Sequence, residues 1–272
     1  MGFLTEAVDR VRKELERNPL PEGSLLLRAR TLPAPRDFQA AIAGPRMAVI
    51  AEVKRASPSA GPIADLDPAE QAERYQRGGA AAVSVLTEPR HFDGSLADLR
   101  SVRRSIALPI LRKDFIVHPS QVMQARVEGA DAVLLIAAAL SASELEELSA
   151  VAEDLGLAAL VEVHSDADVE RALGAEAPIV GVNARDLETL DVDLDRALAV
   201  TRGLPSDRVV VLESGIRDRA QVRQAEEAGA SAVLVGEALM RARNPEVTIR
   251  RLLGTLAIAP GRGADGNAAG RG

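Results

Sequence analysis

Short runs of aliphatic residues recur along the chain at intervals of roughly 20 to 33 residues. Runs of this length are typical of strands that are covered on both faces, and each interval has room for one helix and two loops. The eight runs lie at 48–53, 81–86, 109–112, 131–136, 158–163, 178–182, 208–212 and 231–235. Eight strand–helix units in about 210 residues predict an α/β fold, and favour a closed (β/α)8 TIM barrel over an open sheet.

A short repeat supports this division of the chain. The pattern G-A-x-A-V begins at Gly79, Gly129 and Gly229, each time after a stretch of helix-like composition. Glycine suits the left-handed conformation that ends a helix, and the small alanines let the next strand pack closely. Helix starts are indicated by a proline at a first helical position, in Asp67-Pro68, His118-Pro119 and Asn244-Pro245.

The two ends of the chain differ from the repeated units. Residues 1–46 begin with an amphipathic pattern, in which apolar residues follow Leu4 at i+4, i+7 and i+11, and continue with a segment punctuated by prolines. We expect an N-terminal helical extension packed on the barrel. The final residues are Gly, Ala and polar types without periodicity. The prediction is one domain over 1–257, which includes the extension, and a disordered tail over 258–272.

The composition narrows the range of partners. The chain has 33 basic and 40 acidic residues, a net charge of −7, one Tyr, four Phe and no Trp, which disfavours a nucleic-acid partner. No cysteine is present, so disulfides and thiolate chemistry are excluded. The longest aliphatic run, 132–140, is far shorter than the roughly 20 residues that span a bilayer, and the N-terminus does not resemble a secretory signal. We expect a cytoplasmic monomer without a membrane partner.

Polar side chains interrupt the aliphatic runs at the carboxyl ends of five predicted strands. They are Glu52 and Lys54 at the first, Lys113 at the third, Glu162 at the fifth, Asn183 at the sixth, and Glu213 with Ser214 at the seventh. Strand side chains alternate, so Glu52 and Lys54 share one side. A solvated loop explains any one of these residues, but five strands together favour a site, because the chemistry of a (β/α)8 barrel lies at these ends. Converging lysines and glutamates perturb one another's protonation, as acid–base catalysis requires.

Other positions are candidates for binding an anion or a metal ion. Gly215 and Gly236 lie in the turns after strands seven and eight, where backbone N–H groups often bind phosphate, although an ordinary turn explains each equally well. Ser57 either binds an anion or shapes the first loop. The chain has no Walker pattern and no strand-linked G-x-G-x-x-G, so a nucleotide cofactor has no support. The three isolated histidines favour loop or capping roles over a metal site, and the alternating acids at 191–195 favour a helix N-terminus over a calcium site.

Five segments resemble the motifs of indole-3-glycerol phosphate synthase: IAEVKRASPS at 50–59, LRKDFI at 111–116, LVEVH at 160–164, GVNARDL at 181–187 and ESGI at 213–216. The resemblance runs in order over roughly residues 3–254. It implies a barrel with an N-terminal helical extension, a carboxy-lyase activity in tryptophan biosynthesis, and no metal or organic cofactor. The implied substrate is 1-(2-carboxyphenylamino)-1-deoxyribulose 5-phosphate, which closes a ring with loss of CO₂ and water.

The resemblance also implies catalytic roles. Lys113 is the general acid of ring closure, and we expect a lowered pKa for a lysine in a partly desolvated, cation-rich mouth. Glu162, Lys54 and Glu52 form the proton-transfer set for the loss of water, in an order that stays open because such groups titrate together. Asn183 orients Glu52 or the substrate hydroxyls. Glu213 and Ser214 complete the catalytic group.

Substrate-binding residues follow from the same resemblance. Arg185 is similar to the family residue near the substrate carboxylate. The phosphate contacts are Lys54, Ser57 and backbone groups near Gly215 and Gly236. The apolar contacts for the aromatic ring are Phe92, Phe115, Leu134, Leu187 and Leu190, with core packing as the alternative for Leu134.

Two positions depart from the family pattern, and two other functions stay open. Ala184 replaces a polar residue found in some members, and Glu237 replaces a serine that can help to bind phosphate. An acid beside phosphate is unfavourable unless it points away. One alternative is another phosphate-binding barrel enzyme, such as a sugar-phosphate or phosphoribosylanthranilate isomerase, which would leave most of the strand-end cluster unused. The other is a non-catalytic scaffold, which we expect to have lost an essential acid.

Overall fold

The computed structural model describes residues 2–59, 61–63 and 66–256. Eight strands form a closed barrel in which every neighbouring pair is parallel. They are β1 (Ala48–Val53), β2 (Ala82–Leu86), β3 (Ile110–Lys113), β4 (Ala132–Ile136), β5 (Ala158–Val163), β6 (Ile179–Asn183), β7 (Val209–Glu213) and β8 (Ala232–Val235). Each strand lies within one residue of its predicted bounds, and the predicted (β/α)8 barrel is confirmed.

Helices alternate with these strands around the outside of the barrel. They are α1 (Phe3–Arg17), α2 (Glu22–Thr31), α3 (Phe38–Ile42), α4 (Pro68–Gly78), α5 (Pro89–Phe92), α6 (Leu96–Ser105), α7 (Pro119–Glu128), α8 (Ala142–Asp154), α9 (Asp166–Gly174), α10 (Leu194–Gly203), α11 (Arg219–Glu227), α12 (Glu237–Met240) and α13 (Pro245–Leu252). A 3₁₀ turn at Ala137–Ala139 follows β4. A two-stranded hairpin in the loop after β1 pairs Ala56–Ser57 with Gly61–Pro62.

Local capping chemistry sets the helix ends where the sequence predicts them. Asp67, His118 and Asn244 cap α4, α7 and α13, and a proline follows each of them. Each cap side chain accepts a backbone N–H of the first turn, which has no partner within the helix. Asp193 caps α10 in the same way, so the expected helix-terminal role for this group of acids is confirmed. Gly79 ends α4 in the left-handed region, at φ 93°.

The N-terminal extension packs on the barrel. Leu4 and Val8 of α1 are buried in the same apolar core as the barrel strands. Helix α2 lies against α7, and α3 lies against β1. The tail predicted over 258–272 lies outside the described residues. No helix in the described part of the chain is both long enough and apolar enough to cross a membrane.

A buried ionic cluster closes the amino end of the barrel. Asp131, directly before β4, is 1% exposed and forms a two-point ion pair with Arg103 of α6, at 2.6 and 2.9 Å. Its carboxylate also accepts the backbone N–H of Arg36, at 2.7 Å, and that of Ile110, at 2.9 Å. These four bonds saturate the carboxylate and join the N-terminal extension, α6 and β3 at one point.

Candidate active site

The carboxyl ends of the strands surround a cavity of about 390 Å³. Every side chain and turn that the sequence analysis singled out for catalysis or binding lines this cavity. They are Glu52, Lys54, Ser57, Phe92, Lys113, Phe115, Leu134, Glu162, Asn183, Arg185, Leu187, Leu190, Glu213, Ser214, Gly215 and Gly236. The structure therefore brings together residues that are up to 184 positions apart in the chain (236 − 52).

Lys113 lies between two buried carboxylates. Its Nζ is 3.0 Å from Oε2 of Glu162 and 3.1 Å from Oε2 of Glu213. Both glutamates are 1% exposed. The second oxygen of each carboxylate, Oε1, is buried and has no hydrogen-bond partner among the described residues. A native structure seldom leaves such atoms unpaired, so they are available to a bound molecule.

The surroundings of these three groups decide their protonation. Burial alone would lower the pKa of Lys113, but the negative charges of Glu162, Glu213 and Glu52 outweigh it and raise the pKa above its ordinary value. The expected lowering of this pKa is therefore wrong. The sequence shows lysines near the mouth, but only the fold shows that Lys113 faces carboxylates rather than other cations. Lys113 is thus held as an ammonium ion at neutral pH.

The two carboxylates differ from each other. Burial raises the pKa of Glu213 to about 8, against the opposing charge of Lys113 and with the support of Glu162 and Glu52. Burial also acts on Glu162, but Lys113 and the side chain of Asn183 outweigh it and lower the pKa. The surroundings therefore favour the ionised form of Glu162 and the protonated form of Glu213. Two carboxyl groups with pKa values driven apart are the usual arrangement of an acid and a base at one site.

A second ion pair lies beside the first. Nζ of Lys54 is 2.7 Å from Oε1 of Glu52, which confirms that these residues share one side of β1. Gly236 at the end of β8 faces this pair, and a Cβ there would overlap Glu52 Oε1 and stand 3.0 Å from Lys54 Nζ. Gly181 in β6 leaves room for the Glu213 carboxylate in the same way. Both glycines are required by the close approach of a charged side chain.

Two strained turns border the cavity. Ser214 has φ 65° and Gly215 has φ 77°, directly after β7. Leu190 has φ 67°, and its carbonyl accepts Nη1 of Arg185 at 2.7 Å. Left-handed backbone at residues other than glycine carries a conformational cost, and such residues cluster at functional sites. Asn183 accepts the N–H of Arg185 at 3.0 Å, and its side chain also lies beside Glu162.

Glu237 and Ala184, the two positions that depart from the family pattern, have different surroundings. Glu237 begins α12, and its carboxylate turns to Nε of Arg241, at 3.0 Å, where both side chains are about half exposed. Ala184 is fully buried. Leu134 is 2% exposed and contributes both to the core and to the cavity, so the two explanations for it do not exclude each other.

The cavity wall also contains residues that were not predicted from the sequence, among them Glu88 and Phe3. Glu88 lies just after β2 and is 2% exposed. A polar residue at a strand end was the signal that identified the other sites, and Thr87-Glu88 after Leu86 carries the same signal. Phe3 of α1 also lines the cavity, and no local pattern marks it. Within the described residues, no three His, Asp or Glu side chains are grouped so that they could hold a metal ion.

Fold and site together define a (β/α)8-barrel protein with an acid–base cluster at the carboxyl ends of its strands. A family model described as indole-3-glycerol phosphate synthase matches residues 4–252. This chain belongs to the indole-3-glycerol phosphate synthase family.

Individual relatives agree with this family assignment, and a solved structure shares the fold. The chain is 51% identical over 258 residues to indole-3-glycerol phosphate synthase of Micrococcus luteus, covering 92% of this chain and 96% of the relative. It is 51% identical over 227 residues to the protein of that name from Mycolicibacterium gilvum, covering 83% and 84%. Among solved structures, a 3-hexulose-6-phosphate synthase superposes with a TM-score of 0.61 at 16% identity, covering 78% of this chain and 100% of that one. The structural likeness at this identity shows the fold alone.

Proposed function

We propose that this chain is an indole-3-glycerol phosphate synthase, a carboxy-lyase that converts 1-(2-carboxyphenylamino)-1-deoxyribulose 5-phosphate to indole-3-glycerol phosphate in tryptophan biosynthesis. The family assignment supports the overall reaction. The observation that carries the mechanism is the position of Lys113 between the buried carboxyl groups of Glu162 and Glu213.

Ring closure needs a proton at the ketone. The aromatic carbon that bears the carboxylate attacks the ketone carbon, and the carbonyl π electrons move to oxygen. Lys113 donates a proton to this oxygen, since its ammonium form is maintained by the surrounding carboxylates. Glu213 lies 3.1 Å from Lys113 and carries a proton that can return to the amine. The positive charge of Lys113 is thus restored without a proton from bulk water.

CO₂ and water then leave. The bond to the carboxylate breaks and its electron pair returns to the ring, which restores aromaticity and releases CO₂. The new hydroxyl leaves as water after it accepts a proton, and a base removes a proton from the neighbouring carbon. Glu162, Lys54 and Glu52 are the proton-transfer set for this step. Their buried, paired arrangement supports the assignment as a set, and the order within it remains open.

The remaining lining residues suit the two ends of the substrate. Lys54, Ser57 and the turns at Gly215 and Gly236 bind the phosphate. The Glu237 carboxylate turns to Arg241, which reduces its repulsion of that anion.

The other end of the substrate is aromatic and carries a carboxylate. Arg185 binds the carboxylate. Phe92, Phe115, Leu134, Leu187 and Leu190 contact the ring. Asn183 holds Glu162 in orientation, and Ser214 completes the site.

We further propose the cofactor requirement, location, oligomeric state and partner of the enzyme. The reaction proceeds by proton transfers within the chain's own side chains and uses no metal or organic cofactor. The protein works in the cytoplasm as a monomer, and its partner is the phosphorylated substrate rather than nucleic acid. Sedimentation of the purified chain at several concentrations tests the monomer, and a mass that rises with concentration would contradict it.

A conversion assay tests the reaction. The purified chain is incubated with the carboxyphenylamino substrate, and the indole product is followed by fluorescence. The chain contains no Trp, so protein emission adds little background. Conversion to indole-3-glycerol phosphate with release of CO₂ is expected. An isomerase or a scaffold would leave this substrate unconverted.

A further inference from the structure

Glu88 has no place in the proposed proton transfers, although it is a buried carboxylate in the cavity wall. Both of its oxygens already have donors. Oε1 accepts Nη2 of Arg10 at 2.8 Å, and Oε2 accepts the backbone N–H of His91 at 2.7 Å. In this respect Glu88 differs from Glu162 and Glu213, which each keep one unpaired oxygen. Its arrangement suits holding neighbouring groups rather than exchanging a proton.

The groups that Glu88 holds come from two separate elements. Arg10 belongs to α1, and its Nη1 is 3.0 Å from Nε2 of His91 in α5. A guanidinium only donates, so Nε2 accepts and the ring proton lies on Nδ1. Glu88, Arg10 and His91 therefore form a closed triangle that ties the N-terminal extension to the loop after β2. The Arg10 side chain is 26% exposed and that of Glu88 is 3% exposed, so the pair is largely shielded from water.

Aromatic rings of the cavity wall are attached to this triangle. Phe3, on the same helix as Arg10, packs edge-on against His91 with ring centres 4.9 Å apart. It also packs against Phe115 at 6.0 Å. Phe92 directly follows His91 and lines the same cavity. Edge-on contacts of this kind depend on ring orientation, so a shift of α1 or α5 would change the shape of the wall.

We propose that Glu88 is a positioning residue that fixes the aromatic wall of the cavity through Arg10 and His91. This inference rests on the proposed function, which places the aromatic ring of the substrate against that wall. We expect the substrate ring to contact this wall both before and during ring closure. Loosening the wall therefore weakens binding of the substrate and the transition state alike, which raises KM and leaves kcat nearly unchanged.

The test compares two ion pairs that attach α1 to the barrel. Arg10→Met and Glu88→Gln disrupt the triangle. Arg12→Met is the matched control, because Arg12 lies on the same helix and pairs with Glu144 at 2.7 Å outside the cavity. We expect KM to rise about tenfold in the first two variants with kcat within about twofold of the wild type. Arg12→Met is expected to keep the wild-type KM, while circular dichroism shows a similar fall in Tm for both arginine variants.

Two results would overturn the proposal. One is a KM for Arg10→Met within about twofold of the wild type, and the other is an equal rise of KM in Arg12→Met. Amide hydrogen exchange at His91 and Phe92 gives a readout without substrate, and faster exchange is expected in Arg10→Met than in Arg12→Met. Equal exchange in both would also overturn the positioning role. A wild-type chain that leaves the substrate unconverted would contradict the proposed function instead, and the exchange result would still stand.

Discussion

Two buried ionic clusters lie at opposite ends of the same barrel and differ in one respect. At the amino end, the Asp131 carboxylate accepts four hydrogen bonds, two from Arg103 and two from backbone N–H groups. At the carboxyl end, Glu162 and Glu213 flank Lys113, and each keeps one buried oxygen without a partner in the described residues. The carboxylate at the amino end therefore has all its hydrogen-bond partners, and the carboxylates at the carboxyl end do not.

The difference separates an ionic group that holds the fold from one that is prepared for a ligand. Burying a charge costs desolvation free energy, which a full set of hydrogen-bond donors offsets. At the mouth the desolvation is only partly offset, and the pKa values of Glu162 and Glu213 are displaced in opposite directions. In (β/α)8 barrels the amino end serves stability and the carboxyl end serves chemistry. Four predictions test whether the two clusters here divide these roles.

Lys113→Met is expected to have the largest effect. It removes the proposed proton donor, so kcat should fall by about a thousandfold or more, while Tm changes by only a few degrees. Steady-state kinetics and a thermal melt on the same preparation measure both quantities. Near-normal turnover in this variant would remove Lys113 from the catalytic group.

Asp131→Ala is the corresponding substitution at the amino end of the barrel. It leaves the half-buried Arg103 guanidinium and two backbone donors without their acceptor, so the free energy of unfolding should fall by about 3–5 kcal/mol. The folded fraction should keep kcat within about twofold, because the mouth is at the other end of the barrel. Urea denaturation and kinetics below the transition check this. A loss of kcat as large as that in Lys113→Met would show that the two ends are not independent.

Gly236→Ala tests the room that the mouth cluster needs. The new methyl group overlaps the Glu52 carboxylate, so the Glu52–Lys54 pair must move, and kcat/KM should fall by about ten- to a hundredfold. Gly203→Ala is the control, since a Cβ there meets nothing within 4 Å. If both variants kept wild-type kcat/KM, the close packing around this pair would have no role in turnover.

Glu213→Gln tests the pH dependence of stability that this buried carboxyl group creates. The pKa of Glu213 is raised to about 8 in the folded chain, so the folded state binds its proton more tightly than the unfolded state. The stability tied to this proton is fully present below the unfolded pKa of about 4.3 and is lost as pH rises towards 8. The wild type should therefore lose up to a few kcal/mol relative to the variant between pH 5 and pH 9. Urea denaturation at both pH values measures this, and a difference that stays constant would contradict the raised pKa.

Much of the fold was predictable because its causes are local. The aliphatic runs gave all eight strands within one residue, since a strand covered on both faces consists mostly of aliphatic residues. Side-chain caps and prolines gave the starts of α4, α7 and α13. The alternation of side chains along β1 placed Glu52 and Lys54 on one side, and the structure pairs them at 2.7 Å.

The sequence by itself determined which residues gather at the mouth, because the carboxyl ends of parallel strands meet at one end of a barrel. Only the tertiary structure decided which of them touch. Lys113 meets carboxylates from β5 and β7 rather than another lysine, so its pKa moves in the direction opposite to the one the residue types suggested. Phe3 and Glu88 join the cavity through the packing of α1 on the loop after β2. Distances between segments far apart in the chain depend on barrel closure and helix docking, which no local pattern records.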